Sequence, residues 1–187
     1  MPISLRRASV LALTLGLVVV PSAQAKLPKP KTTLIVPGKS IGGVTLNMSE
    51  AKAKRLWGRG AKCTTSPGYG DVPSSDLCDW RDKGDPSYAA VAHITFNGGK
   101  VYLINLATAH TTDPRTFKPT GRQFAAWKTA KGIAIGSKSS AVHKAYPAAK
   151  HNDSEGGIGW DLIQPKAITS FHGGSTVESI SLRLPSG

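Results

Sequence analysis

Apolar and polar positions fall into one ordered series that occurs twice along the chain. Gly43-Val44-Thr45-Leu46 lines up with Gly132-Ile133-Ala134-Ile135, each a short apolar lead-in. Without a gap, Ala53 then meets Val142, Trp57 meets Tyr146, and Gly58 meets Pro147. Ala53 with Trp57, and Val142 with Tyr146, are i, i+4 pairs, so each pair shares one face of a predicted helix. Asn47 or Ser49 is placed to cap the first helix, Ser137 or Ser139 the second, and Gly58 and Pro147 stop them. Trp80 in Leu77-Cys78-Asp79-Trp80 corresponds to Trp160 in Ile158-Gly159-Trp160. Ile94-Thr95-Phe96-Asn97-Gly98-Gly99 corresponds to Thr169-Ser170-Phe171-His172-Gly173-Gly174, with one extra residue before Val177. Val101, Ile104 and Leu106 then meet Val177, Ile180 and Leu182. Paired glycines flanked by alternating apolar residues signal a hairpin. A further helix is expected from Gly121 to Ala130, capped by Thr120, stopped by Gly132, with Phe124 and Trp127 on its buried side.

The expected fold class is therefore α+β: a tandem repeat of two small units, each a helix or helix pair packed on one face of a small antiparallel sheet. The division read from the sequence is a leader at 1–25, a basic Pro-rich tail at 26–37, a first unit at 38–110, a linker at 111–120 and a second unit at 121–187. One sheet face of each unit would stay open. If Ile94 and Phe96 face the helix, His93 and Thr95 face out; if Ile104 and Leu106 do, Leu103 and Asn105 face out, and Leu103 with Val101 would make that face partly apolar. A one-residue slip in strand parity would reverse that assignment. Trp80 and Trp160 are expected in the core.

This series, with its Phe-x-Gly-Gly-x-Val-x-x-Ile hairpin, resembles the SmpA/OmlA (BamE-like) domain. In tandem it resembles the β-lactamase inhibitor protein fold (BLIP-like). The resemblance implies a binding module, either an envelope assembly factor or a secreted inhibitor that lays a sheet against its target. No individual contact residue carries over from it. The lipobox cysteine usual in SmpA/OmlA lipoproteins is absent.

Composition adds a location. Arg6 and Arg7 precede thirteen uncharged residues, Ala8 to Val20, and then Ala23-Gln24-Ala25, the three-part pattern of a secretory signal peptide cleaved after Ala25. The apolar run is too short to span a bilayer. Formal net charge is +13, and the leader holds only two of the basic residues, leaving +11 on the remainder. Such a protein outside the cytoplasm meets anionic wall polymers or lipid surfaces. Lys26-Leu27-Pro28-Lys29-Pro30-Lys31 is expected to be extended and mobile. Cys63 and Cys78 are expected to form a structural disulfide, worth about 3 kcal/mol on the chain-entropy model. They tie a loop that carries Tyr69 between glycines.

Catalytic chemistry is not signalled. His93, His110, His143, His151 and His172 lack metal-ligand spacing to one another or to a carboxylate. No Gly-x-Ser-x-Gly elbow occurs, and Gly132 to Ser139 has the wrong spacing for a phosphate loop. His151 to Glu155 reads as a solvated loop. The expectation is no enzyme, no catalytic residue, no metal and no cofactor. The leading function is a secreted or periplasmic, cell-envelope protein-binding module whose contacts are Tyr69, His93, Thr95, Leu103 and Asn105. Its partner is a protein; specific nucleic acid is not expected, nor is any transmembrane segment after cleavage. The alternative is a basic envelope-associated protein binding anionic wall polymer or lipid, and the third is a wall hydrolase.

Overall fold

The computed structural model describes residues 27–67, 74–81, 90–108, 124–153 and 158–185. The leader, Tyr69 and His110 lie outside the described residues. Strands dominate. A large sheet holds β4 (Lys62–Ser66), β5 (Ser75–Arg81), β6 (Ala90–Asn97), β7 (Lys100–Thr108), β9 (Lys150–Asn152), β10 (Gly159–Gln164), β11 (Ala167–His172) and β12 (Ser179–Arg183). Their order is β4-β5-β6-β7-β12-β11-β10-β9, antiparallel throughout. A smaller sheet, β3-β2-β1-β8, is made from β1 (Leu34–Val36), β2 (Ser40–Ile41), β3 (Val44–Thr45) and β8 (Lys128–Thr129), with β1 and β8 parallel.

The expectation of two helix-covered units, each with its own sheet, is corrected by this topology. β7 and β12 are not free edges; they pair from Leu103↔Arg183 to Ala107↔Ser179, making one continuous sheet. The helices α1 (Glu50–Trp57) and α2 (Ser139–Ala145) are eight and seven residues long. Two turns cannot cover a sheet, and an open strand edge gains hydrogen bonds by pairing with its counterpart.

What each helix does is dock onto a hairpin. Glu50 N–H donates to Gly99 O at 3.0 Å, and Asn47 and Met48 exchange bonds with Val101. In the second half Ser139 N–H donates to Ser175 O at 2.9 Å, while Gly136 and Ser137 exchange bonds with Val177. Ser49 and Lys138 occupy the N-cap positions, with no side-chain capping bond. Gly58 ends α1 at φ 88°, its N–H closing on Lys54 O. Gly98 and Gly99 both have positive φ, 54° and 70°, as a two-residue hairpin of right-handed twist needs. The β11–β12 connection is longer than a tight turn, running from Gly173 to Glu178.

The core lies between one face of the large sheet and everything packed on it. Trp57 meets Trp80 edge-to-face at 5.2 Å and Trp127 at 5.7 Å, with Phe124 beyond Trp127 at 6.1 Å. Ile94, Phe96, Val101, Ile104, Leu106, Phe171, Ile180 and Leu182 supply the sheet side and are fully buried. Phe124 and Trp127 are buried as the pattern required, but not on a helix. After one turn (Trp127 N–H to Phe124 O, 2.8 Å) the chain enters β8, because the Thr129 hydroxyl and backbone are taken by Ile133. Nor is the segment before residue 38 a free tail: Pro28 is buried, Lys29 N–H reaches Trp57 O, and β1 adds to the small sheet. Trp160 is half-buried rather than core, with His143 stacked on it at 4.7 Å and His151 meeting it edge-to-face at 5.1 Å.

Candidate functional site

Both helices and the small sheet pack on the same side of the large sheet, so among the described residues its other face carries no packed element. Alternation decides who stands there. In β6 the residues pointing away from the core are Val91, His93 and Thr95, and in β7 they are Leu103, Asn105 and Ala107. The register joins them: His93 lies opposite Asn105, and Thr95 opposite Leu103. Four of the five residues expected to bind a partner thus form one block on the outer face. Tyr69 lies outside the described residues.

Followed across every strand, that block extends into a line. Lys62, Asp79, His93, Asn105, Ser181, Ser170, Asp161 and Lys150 are successive cross-strand partners from β4 to β9. Eight strands at the usual spacing make this polar row about 34 Å long. Beside it runs a second row, Thr64, Leu77, Thr95, Leu103, Arg183, Ile168 and Ile163. This one is largely aliphatic, and Ile163 is 54% exposed. The face therefore offers hydrogen-bonding groups and apolar surface side by side, as interaction surfaces do.

Part of the polar row is unsatisfied. Ser170, Ser181 and Asp161 are buried. Asp161 accepts from the Asn152 amide at 2.9 Å through Oδ2, while its Oδ1 is buried with no partner. Asn105 Oδ1 is likewise buried without a partner, and so is His172 Nδ1 one row away. A buried acceptor left unpaired costs about 1–3 kcal/mol, so such groups call for a reason. At the other end Asp79 is paired with Arg81 at 2.8 Å. Burial lowers the pKa of His93 from its ordinary value; the Asp79 carboxylate opposes that shift and the Arg81 guanidinium adds to it. His93 therefore favours the neutral imidazole.

No known protein family matches the sequence, and no curated protein does. Three solved structures share part of the shape. They are an extracellular protein containing an SCP domain from Bacillus anthracis (10% identity, 83% of this chain, 49% of that one, TM-score 0.42), the uncharacterized protein yfeY from Escherichia coli (9% identity, 84% of this chain, 100% of that one, TM-score 0.46) and a cysteine-rich secretory protein from Staphylococcus aureus (9% identity, 86% of this chain, 49% of that one, TM-score 0.37). The chain spans about half the length of the first and third. None is an SmpA/OmlA protein or a β-lactamase inhibitor. The single eight-stranded sheet, continuous across β7 and β12, replaces the expected BamE-like and BLIP-like tandem resemblance.

Cys63 and Cys78 are directly opposite on β4 and β5 and form the disulfide. Among the described residues no group of three His, Cys, Asp or Glu side chains is placed to hold a metal, and no helix is long and apolar enough to cross a membrane. Strand parity placed His93, Thr95, Leu103 and Asn105 on the outer face, but it put Val101 there too, and Val101 is buried on the core side, where the register shifts at Thr95/Phe96. It missed Asp79, Ser181, Ser170 and Asp161, because their membership depends on pairings between strands far apart in the chain. The adjacent dipeptides Asp79-Trp80 and Trp160-Asp161 were the available signal, since a buried Trp turns its sequence neighbour to the opposite face.

Proposed function

We propose that this chain is an exported, non-catalytic binding protein that presents the outer face of its large sheet to a protein partner. The observation that carries the reading is the polar row with buried, unpartnered acceptors at Asn105 and Asp161, bordered by Leu103, Ile168 and Ile163. Acceptors without donors fit a partner segment that brings Arg or Lys side chains or free backbone N–H groups, together with apolar side chains for the second row. Export is supported by the basic-apolar-small pattern of residues 1–25 and by the Cys63–Cys78 disulfide, which an oxidising compartment sustains.

Site-specific photocrosslinking tests this. A crosslinker at Thr95 or Ser181 is expected to yield one discrete protein adduct in the producer's envelope or medium, retained through a high-salt wash. The same crosslinker at Lys52, exposed on α1, is expected to yield none. Equal adduct patterns from all three positions would sink the proposal, and so would wall-degrading activity in the purified chain.

A further inference from the structure

The strongest feature away from the outer face is a groove where α1 ends and β4 begins. Its volume is about 540 Å³, and its lining includes Lys54, Arg55, Gly58, Arg59, Gly60 and Cys63. Three of those side chains are cationic, and among the described residues no carboxylate lines it. Lys54 is paired with Glu50, one turn earlier on α1. Arg55 and Arg59 are exposed and have no acidic partner among the described residues. Cations in the last turn of a helix are favoured by its dipole, which amounts to about half a charge. Lys54 and Arg55 already meet that demand. Arg59 lies beyond the Gly58 stop, so its charge is surplus to it.

The backbone contributes as well. Gly58 and Gly60 hold φ values of 88° and 115°, a backbone region that favours glycine, as the chain passes the groove. The N–H groups of Arg59 and Gly60 have no hydrogen-bond partner among the described residues. Two guanidiniums without an acidic partner, two backbone amides without a partner and the Glu50-paired Lys54 ammonium thus belong to residues lining one concavity, which no carboxylate lines among the described residues. That is the complement of an oxyanion, and guanidinium matches phosphate oxygens two at a time.

We propose that this groove binds a phosphate group, as a monoester or a phosphodiester, with Arg55 and Arg59 as the paired donors and Lys54 as the third. The cavity is larger than one phosphate, which leaves room for the substituents of a diester. The net charge of +11 that remains without the leader draws such polyanions from a distance, while the groove gives the contact a place.

The test uses the full chain as secreted, with a soluble poly(glycerol phosphate) and with vesicles of phosphatidylglycerol in phosphatidylcholine as probes, in low salt. The double substitution Arg55→Gln/Arg59→Gln is expected to weaken binding at least tenfold. The double substitution Lys144→Gln/Lys166→Gln removes the same charge from exposed positions elsewhere and is expected to change it less than threefold. All four side chains are exposed, so melting temperatures should stay within a degree or two of the parent. Binding to the soluble polymer assigns a polymer phosphate; binding to vesicles alone assigns a lipid headgroup. Equal losses from the two double variants, or no binding of either probe, would overturn the proposal in favour of diffuse charge.

Discussion

Replacing Asn105 by leucine should make this protein more stable. Asn105 sits mid-strand in β7, half-buried between His93 and Ser181, and its Oδ1 is sealed from solvent with nothing donating to it. Such an atom costs about 1–3 kcal/mol relative to one that is paired or hydrated. Leucine has nearly the same shape, removes the stranded acceptor and adds apolar contact with Leu103 and the aliphatic row. Against this stands whatever the amide nitrogen contributes, about 1 kcal/mol at most. The expected net gain is about 1–2 kcal/mol. For a chain of this length each kcal/mol moves the melting point by about 2–4 °C, so the rise should be about 2–8 °C. Thermal melts followed by circular dichroism, with urea titration to show an unchanged m-value, measure it. The same variant should lose the crosslinked adduct at Thr95, since the acceptor it deletes is one the partner would satisfy. A fall in melting temperature would refute the reasoning: it would mean that the amide is already satisfied and that the polar row holds the sheet together.

Other expectations follow from neighbouring residues. Asp161→Leu should destabilise by about 1–3 kcal/mol in a urea titration, opposite in sign to Asn105→Leu, because the Asn152 amide loses its acceptor at 2.9 Å. Gly42→Ala should cost about 2–4 kcal/mol by the same assay, since φ is 57° and a Cβ would stand 2.5 Å from the Trp127 ring. His93 has a lowered pKa in the fold, so the unfolded chain binds more protons as pH falls from about 7 and stability declines with it. His93→Gln should flatten that slope between pH 7 and pH 5, and an unchanged slope would exclude His93 as its source. Cys63→Ala/Cys78→Ala should cost about 3 kcal/mol and should weaken phosphate-polymer binding too, whereas binding that stays intact would mean the groove does not depend on β4.

Much of the outer face was legible because it rests on short-range rules. Period-two alternation from Ala90 to Asn97 fixes the side of His93 and Thr95, and alternation from Leu103 to Thr108 fixes that of Leu103 and Asn105; between the Gly98-Gly99 turn and Leu103 the register shifts, which is why Val101 is buried. The i, i+4 pair Ala53 and Trp57 and the Gly58 stop were equally local, and both side chains are buried. The closing of the large sheet was not legible. Asn105 meets Ser181 from 76 positions away, and no local pattern says that β7 must add to β12 rather than stay an edge. The segment holding Phe124 and Trp127 misled for a related reason. An i, i+3 aromatic pair suits a helix, yet here the two rings reach the Trp57 cluster from a turn and a parallel strand pairing with β1. The basic residues of α1 were visible, but that Arg55 and Arg59 have no acidic partner among the described residues is a property of the folded surface.

The two candidate surfaces meet on β4, and the physics of that strand explains why the disulfide sits there. All five residues of β4 are exposed, so it buries no side chain to hold it in place, and it is an edge with only β5 beside it. A strand of that kind is marginal on hydrogen bonds alone. Lys62 is the first residue of the polar row, and Cys63 lines the basic groove. A strand that frayed would take away both the end of one surface and a wall of the other. Burial cannot fix β4 without covering the residues of both proposed surfaces. A cross-strand disulfide fixes its register to β5 while leaving Lys62, Thr64 and Thr65 in solvent. Cys78 is fully buried and anchors the bond to the core face, next to Trp80 in the strand. The covalent link thus does for an exposed edge what the aromatic cluster does for the interior.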